Sequence, residues 1–366
     1  MNRINIAFVL ILSVILFLTQ CKRDPDMPDE ACSSNAQVSG KFNFSQFPFA
    51  NLSTYGFFTG DMKDQQVTGD ILPYDVITPL FSDYAHKKRF IWMPEDSLSS
   101  YNLDTELLEM PNHTILIKTF YYNNVQPGNE TQLIETRLLY KVNEEWKFAD
   151  YIWNDEQTEA VFDLSGENKD LEFINDDGEL ISFTYRIPSE TECFTCHKIT
   201  NDALPIGPKP QNLNQEYSYS DGDMNQLQKW IEFGFLEDEL PTSIETVADW
   251  ADESLPKLDR VRAYLDMNCA HCHRQDSHCS YRPMRFAWNE SVLMENLGIC
   301  IEPAEPIDPF QTYVVSPGNA ARSMMYYRMN TTEAAEKMPL MGRTIIHQES
   351  VDLIGEWINE LEINCE

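Results

Sequence analysis

The sequence predicts a multidomain α+β protein: a β-rich N-terminal domain, sandwich-like or barrel-like, followed by a mostly α-helical region. Three observations predict it. At 366 residues the chain exceeds what one ordinary core serves. Runs rich in β-branched and aromatic residues gather before residue 188. Apolar residues at helical spacing appear beyond residue 226, around two cysteine-rich motifs.

Composition bounds the function. Hydrophobic residues at 42% and aromatics at 12% describe a folded chain. With 59 acidic against 27 basic residues, the formal net charge is −32. That excess excludes phosphate-backbone binding, so no nucleic-acid partner is expected. It equally disfavours adsorption to anionic lipid head groups. A protein partner with a basic docking face fits it.

In chain order, residues 1–20 read as a lipoprotein signal peptide. Arg3 precedes an apolar run from Ile6 to Leu18, too short to span a bilayer and right for a signal core. The run ends in Leu18-Thr19-Gln20-Cys21, which resembles a bacterial lipoprotein signal with Cys21 as the acylated residue. Residues 21–40 then form an acidic tether. The expected location is the bacterial cell envelope, on the periplasmic side or the cell surface, held by an N-terminal lipid anchor.

Residues 41–188 form the β-rich domain. Phe42, Phe44, Phe47, Phe49, Tyr55, Phe57 and Phe58 suggest extended structure against a core. Thr114–Tyr121, Leu133–Val142, Trp146–Trp153 and residues 181–187 read as strands separated by turn formers. Asp83, Tyr84, His86, Lys87, Lys88 and Arg89 make a polar cluster, read as a solvated turn, with contact of the basic triplet to a ligand as the alternative.

Two motifs share one spacing: Cys193-Phe194-Thr195-Cys196-His197 and Cys269-Ala270-His271-Cys272-His273. C-x-x-C-H is the attachment pattern for c-type haem. Each cysteine sulfur adds to a haem vinyl group, and the following histidine is held under the iron as an axial ligand. Zinc is the competing reading of paired cysteines. The adjacent histidine in both motifs, their 72-residue separation and the export signal favour two covalently bound haem c groups. A haem propionate or a substrate is then the alternative contact of the basic triplet Lys87-Lys88-Arg89.

Residues 253–366 read as a complete second haem-binding unit. Leu258, Val261 and Leu265 mark a helix running into Cys269, and Val351, Ile354, Trp357, Ile358 and Leu361 mark a terminal helix. Between them, Met338-Pro339 resembles the distal-ligand loop of class I cytochromes c. Met338 is therefore the expected sixth ligand of the iron above His273, with Met341 as the fallback; His271, His278 and His347 read as surface residues. Residues 189–252 read as a shortened first unit. From His197 to Trp230 is 33 residues, against 84 from His273 to Trp357, and no Met-Pro loop intervenes. Met224, His86 and His113 are the candidates for its sixth ligand, and an open position is an alternative. Of the remaining cysteines, Cys279 and Cys300 are expected to pair, leaving Cys32 with Cys365.

Together, Thr78-Pro79-Leu80-Phe81-Ser82-Asp83-Tyr84, Trp153-Asn154-Asp155-Glu156-Gln157, both C-x-x-C-H motifs and Met338-Pro339-Leu340-Met341-Gly342-Arg343 resemble a family of exported bacterial di-haem c-type cytochromes with a β-rich N-terminal region. The resemblance implies the cofactors and a cytochrome c-like haem region. It implies no substrate. Membrane-anchored electron transfer is the expected function. A peroxidase- or oxidase-type haem enzyme and a redox-sensing binding module are the alternatives.

Overall fold

A computed structural model describes residues 38–39 and 41–365. The signal peptide, nearly all of the tether, Cys21 and Cys32 lie outside the described residues. Among the described residues, no helix is long and apolar enough to cross a membrane.

One antiparallel sheet organises the chain. Its strands are β1 (Ile71–Tyr74), β2 (His86–Trp92), β3 (Ile115–Val125), β4 (Glu130–Val142), β5 (Glu145–Trp153), β6 (Ala160–Phe162), β7 (Glu167–Ile174) and β8 (Leu180–Ile187). The order β6-β5-β4-β3 is unbroken, and β3 then serves two partners. β2 pairs along its first part, from Trp92↔Ile115 to His86↔Tyr121, and β7 pairs at its end through Phe173↔Val125. The expected sandwich or barrel is thus a single forked sheet.

Strand alternation gives the sheet two different faces. On one, Phe90, Trp92, Ile115, Ile117, Leu138, Tyr140, Ala149, Tyr151 and Trp153 pack against Phe42, Phe44, Leu52, Tyr55 and Phe57. The aromatic segment covering this face is not extended as expected. It is built largely of short 3₁₀ turns, Phe44–Gln46 and Leu52–Tyr55, that fold its rings onto the sheet. Each such buried ring contributes about 1.5–3 kcal/mol.

The opposite face meets the cysteine-motif region, and here the mostly α-helical expectation fails. Over all the described residues strand outweighs helix, 28% against 21%. Helices in this region are few and short: besides the single turn Pro210–Leu213, they are α1 (Glu190–His197), α2 (Gln226–Glu232), α3 (Lys257–Asn268), α4 (Met324–Met329) and α5 (Gln348–Glu360). Prolines at 205, 208, 283, 303, 306, 309, 317 and 339 interrupt helix propagation between them. The linking segments fold as turns and loops around open cavities. α3 and α5 do pack together, through Val261, Leu265, Val351, Ile354, Trp357 and Ile358.

The Thr78–Tyr84 motif straps these layers together. Thr78 N donates to Asn212 Oδ1, Phe81 N to Asn268 Oδ1, and Tyr84 Oη to Glu349. The Asp83 carboxylate accepts from Thr344 N, Thr344 Oγ1 and Ile345 N at 2.7–3.0 Å.

Neither expected pair, Cys279–Cys300 or Cys32–Cys365, forms. Cys300 is bonded to Cys365 across 65 residues, which ties the chain end to the loop after the second motif. Cys279 is a buried free thiol, its amide bonded to Cys272 O instead. Cys300→Ser is expected to cost about 2–4 kcal/mol through lost loop closure. Thermal melts check this; a comparable loss in Cys279→Ser, and none in Cys300→Ser, would overturn the pairing.

Candidate haem sites

The first motif lies on α1. Ser189 caps it, its hydroxyl accepting from Glu192 N while the Glu192 carboxylate returns to Ser189 N. Such a capping box fixes the start of a helix this short. Arg186 holds the same carboxylate at 2.7 Å, which anchors α1 to the end of β8. The second motif begins where α3 stops, at Cys269.

The two motifs, far apart in sequence, meet. The Cys196 sulfur, a His271 ring nitrogen and the Cys272 sulfur lie within 4.8 Å of one another. Thr200 N also donates to Asp276 O at 2.6 Å, so the backbones after the two motifs are tied as well. His271 is half-buried in this contact and not on the surface as expected.

Each motif opens onto its own cavity. The first, about 500 Å³, is lined by Cys193, Cys196 and His197, by the sheet face and by residues 339–345. The second, about 410 Å³, is lined by Cys269, His273, Met338 and the core around α4. Both volumes lie in the range of cofactor pockets. No family model, curated protein or solved structure matches this chain.

The donor chemistry suits haem attachment. His197 Nδ1 lies 2.6 Å from Leu204 O, a contact that fixes the tautomer and leaves Nε2 as the free nitrogen. Burial lowers both His197 and His273 to about 4, so both rings are neutral at pH 7, as ligation requires. Burial also pushes the Cys193 and Cys269 thiols up to about 12. Unlike His197, His273 has a buried Nδ1 without a hydrogen-bond partner.

Met338 and Met341 sit on one loop, and both line a small cavity of about 40 Å³ between the motifs, beside Cys196, Cys272 and His273. Met338 lines the second cavity and Met341 the first, with Pro339 and Leu340 shared between them. The loop is rigidly held. Buried Arg343 donates to five carbonyls, those of Arg328, Met329, Thr331, Met338 and Ile345, at 2.9–3.2 Å. Asp83 grips the residues immediately beyond. Burial raises the Asp83 carboxyl despite the three donors it accepts from.

The candidates for a sixth ligand at the first site do not reach it. His86 stacks on Tyr121, His113 stacks on Phe44 on the far side of the sheet, and Met224 pairs with Tyr217 in a small hairpin. None of the three lines either cavity. His347 is buried, stacked on Phe81 with ring centroids 4.0 Å apart, and not at the surface as expected.

The sheet side of the first cavity is chemically active in a way the sequence reading missed. Lys118, Arg137 and Asp150 line it. Arg137 donates to Glu135 at 2.5 and 2.8 Å, and Tyr185 Oη donates to the same carboxylate. Burial opposes ionisation of Glu135, yet the Arg137 charge and these donors hold it below the usual carboxylate range. Burial, then the Glu135 charge, raises Asp150 well above that range. Charged residues inside otherwise apolar strands, Ile-Leu-Ile-Lys118-Thr-Phe and Ile-Glu135-Thr-Arg137-Leu-Leu, were the available signal.

Proposed function

We propose that this chain is a di-haem c-type cytochrome that moves single electrons in the bacterial cell envelope, anchored there by a lipid on Cys21. The observation that carries the reading is the meeting of two C-x-x-C-H motifs, each opening onto its own cavity, with Cys196, His271 and Cys272 in contact. Bound haem would supply one-electron chemistry, and a short path between the two attachment edges suits relay between them. Cys193 and Cys196 would hold the first group with His197 as ligand, and Cys269 and Cys272 the second with His273. Met338 is the sulfur offered to the second site. Met341 is the one offered to the first by the same loop, which Arg343 and Asp83 hold still. The −32 charge steers docking toward a redox partner with a basic face and makes association salt-sensitive.

The contact cluster also favours one other reading, a zinc-type ion on Cys196, His271 and Cys272. It leaves both cavities, both flanking cysteines and both motif-terminal histidines without a role.

Spectra of two variants test the proposal. Met338→Ala is expected to remove the sulfur-to-iron charge-transfer band of the second site and leave the first unchanged. Met341→Ala is expected to do the reverse. If neither variant alters a band in a protein shown by mass spectrometry to hold two haems, the loop is not the ligand source. If that mass shows a metal ion and no haem, the electron-transfer reading falls.

A further inference from the structure

A line of charge crosses the sheet beneath the first cavity. Arg89 faces Lys118, Lys118 faces Arg137, and Arg137 faces Asp150, on four adjacent strands in register. Like charges placed directly opposite across strands destabilise a sheet. Two of the three cations have their own counter-charge. Arg89 is paired with Asp75 and Arg137 with Glu135. Lys118 makes no hydrogen bond or ion pair with any described residue; its ammonium lies over the Phe120 ring, 5.0 Å from the centroid.

The other cations lining the cavity are committed elsewhere. Arg343 is spent on backbone carbonyls, Lys337 donates to Arg343 O, and Arg186 binds Glu192. Asp150 does not neutralise Lys118. It is 1% exposed, its nearest cation is Arg137 at 3.9 Å, and neither of its oxygens accepts a hydrogen bond. Burial and the neighbouring Glu135 carboxylate raise it well above the usual carboxylate range, and its acid proton is directed at Glu135. The floor of the cavity thus presents the Lys118 amine and the Arg137 guanidinium as donors, and burial with the nearby cations Arg89, Lys87 and Arg137 pushes Lys118 well down, a penalty that an anion in the cavity would relieve. Removing a charge from water without a partner costs several kcal/mol. The missing partner is an anion.

We infer that the sheet floor of the first cavity is a carboxylate-binding site, with Lys118 as its free cation and Arg137 and Asp150 flanking it. Two sources carry that chemistry: a propionate of a haem in this cavity, in which case the inference rests on the function proposed above, or a small free carboxylate. Charge-assisted hydrogen bonds to Lys118 and Arg137 suit either.

The test uses Lys118→Gln and Lys118→Arg in the full chain, with covalent haem counted by mass spectrometry, redox titration of both waves and calorimetric titration with acetate. Lys118→Gln leaves no carboxylate of the chain without its partner, so its melting temperature is expected to fall far less than that of a variant that breaks a buried ion pair. If the carboxylate is the cofactor's own, Lys118→Gln lowers the midpoint of the first site, leaves the second in place, and Lys118→Arg restores it, while acetate gives no heat. If the carboxylate is free, acetate binds saturably to the native protein and to Lys118→Arg. It then binds Lys118→Gln roughly tenfold or more weakly, the loss expected for one charged hydrogen bond. If Lys118→Gln changes neither the midpoint nor acetate binding, the site does not exist. A haem count of zero would overturn the cofactor reading separately, and the acetate titration would still decide the anion site.

Discussion

Replacing Cys269 and Cys272 together with Ser is expected to leave one covalent haem on the chain in place of two, and to shift the midpoint of the one that remains. The first half follows from chemistry: without the two sulfurs, no thioether forms at the second motif. The second half follows from the fold. Cys272 stands within 4.8 Å of Cys196, so the two attachment edges face each other. At an effective dielectric of ~20, unit charges even ~15 Å apart interact by about 1 kcal/mol, several-fold in a redox equilibrium. Removing the second group therefore removes a charge that the first one feels. Mass spectrometry of the denatured protein gives the count, and potentiometry gives the midpoint. Two haems retained would place the attachment elsewhere. One haem with an unmoved midpoint would mean that the edges are not in contact in solution.

That contact was not legible in the sequence, although both motifs were. Spacing identifies a C-x-x-C-H locally, but nothing local tells that residues 196 and 272 approach. Their approach is set by the strap at Thr78–Tyr84, whose partners Asn212, Asn268 and Thr344 lie far along the chain. The long strands were legible because alternation and β-branching are local signals, as at Ile115–Val125. Helices α3 and α5 were legible for the same reason. The rest of the cysteine-motif region was not, since its loops are held by side-chain-to-carbonyl bonds. One guanidinium, Arg343, replaces a turn of helix in satisfying backbone groups. The Cys300–Cys365 bond escaped because pairing depends on where the chain end returns. Lys118 and Arg137 escaped because a charge in a strand ordinarily faces water. Here the face is covered by the cavity.

Arg137 and Lys118 sit opposite each other, yet they are expected to behave in different ways when removed, and Arg137→Met is expected to be the most destabilising single change. Glu135 is fully buried, and Arg137 supplies two of its donors. Taking away the guanidinium removes the counter-charge of Glu135 and leaves its carboxylate with only the Tyr185 hydroxyl and the Asp150 acid as donors. Breaking a buried pair in this way costs about 3–5 kcal/mol, a large share of the roughly 5–15 kcal/mol by which a domain is stable. The melting temperature is expected to fall by several degrees or more. Arg137→Met combined with Glu135→Met should recover most of the loss, because an apolar pair of similar volume leaves no uncompensated charge. Thermal melts of the two single variants and the double one form the cycle. A single Arg137→Met loss under about 1 kcal/mol would show that water reaches Glu135 and that the network is not buried in solution. A double variant as unstable as the single would show that packing, not charge, sets the cost. The contrast with Lys118→Gln separates the two roles: one cation balances a carboxylate the chain already carries, while the other faces a cavity whose own carboxylates, Asp83, Asp150 and Glu192, make no ion pair with it.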